Sequence, residues 1–97
     1  MDRVEKRMAF YIVSYDLIKD KDYVRLEKGI LSVAFQAKKI LFSVWVIESN
    51  RTATNLAETL MQHADADDKI LVSEVNRESI SWINIDKDES KWLETVL

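Results

Sequence analysis

The sequence predicts an α+β sandwich, a single sheet carrying helices on one face. Two observations predict it: strands and helices of roughly a dozen residues alternate along a chain of only 97, and the opening strand is apolar on both faces. With 47 % hydrophobic and 32 % charged residues, the composition is that of a folded chain, and the length suits one domain. Without cysteine there is no disulfide frame and no thiolate chemistry, which fits a reducing cytoplasm. No apolar run approaches the roughly 18 to 20 residues a bilayer span needs, and "MDRVEKRM" precedes no secretory apolar core. A cytoplasmic protein with no membrane partner is therefore expected.

The first element is the strand from Phe10 to Ile18, dense in β-branched and aromatic residues. Alternation puts Tyr11, Val13, Tyr15 and Leu17 on one face, and Phe10, Ile12, Ser14 and Asp16 on the other. Since both faces are largely apolar, both should be covered. "KDKD" then marks a loop, with Asp20 or Asp22 placed to cap a helix that starts near Tyr23. Along that helix Tyr23, Leu26, Ile30, Val33, Ala34 and Ala37 recur at helical spacing. Gly29 sits within it at a cost of about 1 kcal/mol against alanine, which close approach to a strand would explain.

"KILFSVWVIES", Lys39 to Ser49, reads either as one long strand or as two joined by a bend near Leu41 to Ser43, with a turn in the preceding "QAKK". A second helix follows, with Ala53, Leu56, Leu60 and Ala64 facing inward and His63 near its end. "DADD" closes it, as a turn leading into the strand "KILVSEV" at 69 to 75. "ISWINI" reads as a short strand and "DKDESKWLETVL" as a terminal helix with Trp92, Val96 and Leu93 inward. The order βαββαβ with a C-terminal strand and helix tail predicts a ferredoxin-like sandwich. Residues 1–8 read as a flexible extension, 9–76 as the domain, and 77–97 as a tail packing on the domain or on a partner subunit. The sheet face away from the helices needs a lid, either that tail or a second copy, and a homodimer is the economical expectation.

The net charge of −3 argues against broad nucleic-acid binding, but residues 1–48 carry +2 and residues 49–97 carry −5. A phosphate-facing surface would therefore lie in the first half. Lys21, Arg25 and Lys28 fall at helical spacing beside Lys19 and could form a basic stripe, although Asp20, Asp22 and Glu27 interleave and make a solvated face the simpler reading. Tyr11, Tyr15 and Tyr23 could stack on bases; tyrosines of this kind are more often core or interface. With His63 the only histidine, no Ser-His-Asp set can form, and Ser43 lacks the glycine-flanked elbow of a hydrolase nucleophile.

Asp16 is the anomaly, an acid ending the most apolar strand. One reading makes it a loop cap through local backbone hydrogen bonds. The other makes it a ligand for Mg2+, which accepts hard oxygen donors and keeps several waters, so that one carboxylate from each subunit of a dimer can suffice.

The strand "YIVSYDL", the helix opening "DYVRLEKGI", the strand "FSVWVIES" and "DDKILVSEV" together resemble the small ferredoxin-like proteins grouped with the second CRISPR-associated protein and with virulence-associated protein D toxins. The likeness covers about residues 9 to 76 and rests on a Tyr-Asp-Leu strand end and a Ser-x-Trp strand. It implies a homodimer in which the paired first-strand acid, here Asp16, holds a divalent metal for phosphodiester hydrolysis of RNA, with DNA the second choice. It also implies Ser43 as the serine of the Ser-x-Trp strand and Trp45 as its packing tryptophan. On this reading Lys19, Lys21, Arg25 and Ser43 would contact substrate. The alternative is a non-catalytic homodimeric module for a protein or nucleic-acid partner, with Asp16 structural. A toxin or antitoxin component also fits the size and the resemblance.

Overall fold

The computed structural model describes residues 7–19 and 22–97, the side chain of Asp22 excepted. Four strands form one sheet: β1 (Ala9–Asp16), β2 (Gln36–Leu41), β3 (Val44–Ser49) and β4 (Lys69–Val75). Helices α1 (Asp22–Val33), α2 (Ala53–Met61) and α3 (Lys87–Val96) complete the fold. The sheet order is β2-β3-β1-β4 and every neighbouring pair is antiparallel. α1 links β1 to β2 across the intervening β3, and α2 links β3 to β4 across β1. Two split βαβ units interlock in this way, which is the predicted ferredoxin-like α+β fold.

The alternation of β1 sorts its side chains as expected. Tyr11, Val13 and Tyr15 are buried beneath the helices, together with Trp45 and Ile47 of β3. Leu26 and Ile30 of α1 and Leu56 and Leu60 of α2 close this core from above, all fully buried. Ser49 is polar and fully buried, and it is satisfied: its hydroxyl donates to the Val33 carbonyl (3.0 Å) and accepts from the Arg51 amide (3.2 Å). At the start of α2, the Thr52 side chain accepts from the Asn55 amide.

The segment 39–49 resolves into two strands. β2 begins at Gln36, so "QAKK" is strand rather than turn, and Ala37 belongs to β2 instead of to α1, which ends at Val33. Phe42 and Ser43 make the two-residue connection, with Leu41 opposite Val44 and a register shift between Lys39 and Leu41. Neither connecting residue has a positive φ; among the described non-glycine residues only Asn84 does, at 62°. The irregularity in β2 replaces the left-handed Asn-Gly pair that a regular tight hairpin would use, which is why the sequence carries no turn signature there.

Gly29 is explained by a helix rather than a strand. A Cβ there would lie 2.6 Å from Cγ of His63, the residue that follows the α2 C-cap Gln62. α1 and α2 thus touch at a point where only hydrogen fits.

The outer face of the sheet is covered in part by the chain's own tail, over Ile12, Val44 and Val46. After β4, Asn76 caps a 3-10 turn at Arg77–Ser79, its side chain accepting from the Glu78 and Ser79 amides. Ile80 is extended, but the predicted strand 80–85 pairs with no described strand. Its apolar side chains face a cavity instead of an edge: Ile80, Trp82 and Ile85 line about 310 Å³ with Ile12, Val44 and Val46 of the sheet. Leu93 of α3 lines the same space and is buried to 1 % exposure, with Val46 at 2 %. Among the described residues no helix is long and apolar enough to cross a membrane.

Candidate functional site

β1 and β4 run in register with Asp16 opposite Lys69, Tyr15 opposite Ile70 and Ser14 opposite Leu71. These residues line an open depression of about 300 Å³ at the end of the sheet. Because the side chain of Asp16 follows the even-numbered face of β1, it lies on the side away from α1 and α2, and it is exposed. Its carboxylate has no hydrogen bond or ion pair among the described residues.

The loop-capping duty belongs to Asp68. This residue, 5 % exposed, precedes β4; its Oδ1 accepts from the Ile18 amide and its Oδ2 from the Asp65 amide, each at 2.8 Å. One carboxylate therefore fixes both the chain leaving β1 and the turn entering β4. The three acids of "DADD" and the two of the loop after β1, Asp20 and Asp22, look equivalent as sequence. Only proximity in the fold singles out Asp68.

Of the predicted basic residues, Lys21 lies outside the described residues, as do Asp20 and residues 1–6 of the N-terminal extension. Lys19 and Arg25 both meet Asp65: Lys19 Nζ stands 3.9 Å from Oδ2 and Arg25 Nη1 3.7 Å from Oδ1. Arg25 Nη2 also donates to the Ala64 carbonyl at 2.9 Å. These cations brace the loop between α2 and β4 at the surface, where such pairs stabilise little. They are brought together with each other, and their recorded partners do not include Asp16.

Ser43 does come to the site, through its backbone. The Tyr15 amide donates to the Ser43 carbonyl at 3.1 Å, which joins the β2–β3 connection to the residue before Asp16. Its hydroxyl makes no hydrogen bond to Asp16 among the described residues. Beneath this junction Trp45, 8 % exposed, packs as its motif implied.

The network that supports this corner joins side chains 12 to 30 residues apart and leaves no local signal in the sequence. Trp45 Nε1 donates to the Tyr15 phenol (3.0 Å), the phenol donates to Glu27 Oε2 (3.4 Å), and Lys39 Nζ meets the same oxygen at 2.8 Å. Burial pushes the Tyr15 phenol up to about 12; the Trp45 N–H pulls it down, and the charge of Glu27 adds to the rise. Tyr11 and Tyr15 are at 0 % and 5 % exposure, so neither has a ring face to offer a base.

Among the described residues no group of three His, Asp or Glu side chains is placed to hold a metal ion. The Asp16 carboxylate is a hard oxygen donor with no partner among the described residues, the kind of ligand that suits a magnesium ion retaining much of its water. No protein-family model matches the chain, and no solved structure matches it. Fold and site together define a ferredoxin-like α+β protein with one free acid at the end of its central strand.

Proposed function

We propose that the protein is a homodimeric, cytoplasmic, divalent-metal-dependent endoribonuclease in which Asp16 of each subunit supplies a carboxylate ligand. The observation that carries this reading is the division of labour between two acids: Asp68 caps the loop, and Asp16, exposed at the strand end, has no partner among the described residues. An acid kept on an apolar strand without a local bond has no structural task, and the Tyr-Asp-Leu resemblance supplies a chemical one. A bound magnesium would acidify and orient water and offset charge developing on a phosphoryl group. Asp16 would hold that ion at one end of the sheet, with Ser14 and Leu71 flooring the depression beside it.

One observation favours a second reading, a non-catalytic homodimeric module that binds a protein or nucleic acid. Lys19 and Arg25, the cations expected to contact phosphate, are both engaged by Asp65.

The deciding experiment incubates highly purified protein with Mg2+ or Mn2+ on single-stranded RNA and duplex DNA, beside Asp16→Ala, with the molar mass measured by light scattering. Metal-dependent RNA cleavage lost in Asp16→Ala, from a dimer, is expected. Equal residual cleavage by both proteins, or a strictly monomeric wild type, would sink the enzymatic reading.

A further inference from the structure

The corner that holds Asp16 also carries the most exposed aromatic ring recorded in the fold. Phe42, in the two-residue connection between β2 and β3, is 73 % exposed. It is nonetheless held in place. Its ring centroid lies 5.3 Å from that of Tyr23 at a 50° tilt, and Tyr23 in turn lies 5.8 Å from the buried Tyr15. The Lys39 ammonium sits 5.2 Å from the Phe42 centroid. A chain of rings thus runs from the core to the surface and ends in a ring whose area is mostly open to solvent. Tyr23 and Lys39 fix one side of the ring and leave the rest of its surface open to solvent.

We infer that Phe42, backed by Tyr23 and flanked by Lys39, is a stacking platform for one base of a single-stranded nucleic acid. The inference rests on the nuclease reading for its choice of ligand, and it adds where the strand is held. Its place follows from the backbone: Ser43, the next residue, is bonded through its carbonyl to the amide of Tyr15, so the platform and Asp16 share one end of the sheet. Phe42 packs toward the helix side through Tyr23 and Asp16 faces the other side, so a strand stacked on Phe42 would reach the depression beside Asp16 by rounding this end of the sheet past Ser43. Stacking needs only an aromatic face and tolerates any base, which suits a protein of net charge −3. Because Lys39 is already paired with Glu27 at 2.8 Å, its charge is largely offset. Binding should therefore depend on salt more weakly than a slope of about −0.7 per phosphate contact would give.

The test is fluorescence anisotropy of the full chain with short labelled single-stranded RNA, single-stranded DNA of the same sequence and an RNA duplex, all in EDTA. Chelation removes hydrolysis, so the result stands apart from whether the protein is a nuclease. Phe42→Ala is expected to weaken single-strand binding about tenfold, the worth of one stacked base, and Phe42→Trp to restore it. The duplex, whose bases are already stacked, is expected to bind no better to wild type than to Phe42→Ala. Preference between the RNA and DNA strands identifies the source of the base, and either strand binding in a Phe42-dependent way supports the platform. Absent wild-type binding, or equal affinity of wild type and Phe42→Ala, overturns it. A dimer that dissociates in Phe42→Ala also overturns it, by making the ring a subunit contact.

Discussion

The indole N–H of Trp45 donates to the phenolic oxygen of Tyr15 across 3.0 Å, inside the core and between side chains 30 residues apart in sequence. Val13, not Tyr15, is the strand partner of Trp45, so the bond runs diagonally across the β1–β3 pair. It lets two large aromatic residues with polar tips share one buried site without leaving the indole donor unsatisfied. The phenol passes the connection on to Glu27 and so to α1, which makes this pair the joint between the sheet and the first helix.

That joint should give the protein an alkaline limb. The folded phenol is held up to about 12, against an ordinary value of 10 in the unfolded chain. The native state therefore keeps its proton at a pH where the unfolded state has released it, so this contribution is complete below about pH 10 and declines toward pH 12. Over that window the loss is on the order of 2 kcal/mol. Urea unfolding of wild type and Tyr15→Phe at pH 9 and at pH 11.5 should show the wild type losing more. Equal losses in the two proteins would mean that burial does not hold the proton.

The contact of Gly29 with His63 gives a sharper stability test. Alanine in a helix gains about 1 kcal/mol over glycine. At Gly29 the new methyl would press within 2.6 Å of His63 Cγ, close to the root of the side chain, where rotation gives little relief. Overpacking of this kind costs about 1 to 3 kcal/mol, so Gly29→Ala should be net destabilising. His63→Ala should relieve it, leaving the double variant more stable than the two single effects predict when summed. Additivity by urea denaturation would show that the helices separate without strain.

How far the sequence could be read follows from which signals are local. The period-two pattern of β1 and the helical stripes of α1 and α2 depend on near neighbours, and they place Tyr11, Val13, Tyr15, Leu26, Ile30, Leu56 and Leu60 in the core correctly, although the α1 stripe runs on too far, into Ala37 of β2. The β2–β3 connection was ambiguous because Phe42 and Ser43 carry no turn chemistry, the backbone instead absorbing the mismatch through a register shift near Lys39. "ISWINI" has the composition of a strand, yet Ile80, Trp82 and Ile85 lie half-buried over the outer sheet face, Ile83 is exposed, and the backbone pairs with no described strand. Composition reports that a residue is covered, not whether a sheet edge or a sheet face covers it. At the site, Asp16 was conspicuous because it broke a pattern, whereas Asp68 and Phe42 owe their significance to neighbours distant in sequence.

The contrast between Asp68 and Asp16 can be measured directly. Asp68→Ala removes two charge-assisted hydrogen bonds and strands the amides of Ile18 and Asp65 in a part-buried loop. A destabilisation of about 3 kcal/mol is expected from such a loss. Asp68→Asn keeps the shape and one acceptor, and should fall between that variant and wild type. Asp16→Ala removes an exposed carboxylate with no bond among the described residues, so its effect should stay within about 0.5 kcal/mol. Thermal and urea unfolding of the three variants would rank them. Were Asp16→Ala as damaging as Asp68→Ala, Asp16 would be holding the fold together, and its loss in a nuclease assay would say nothing about chemistry.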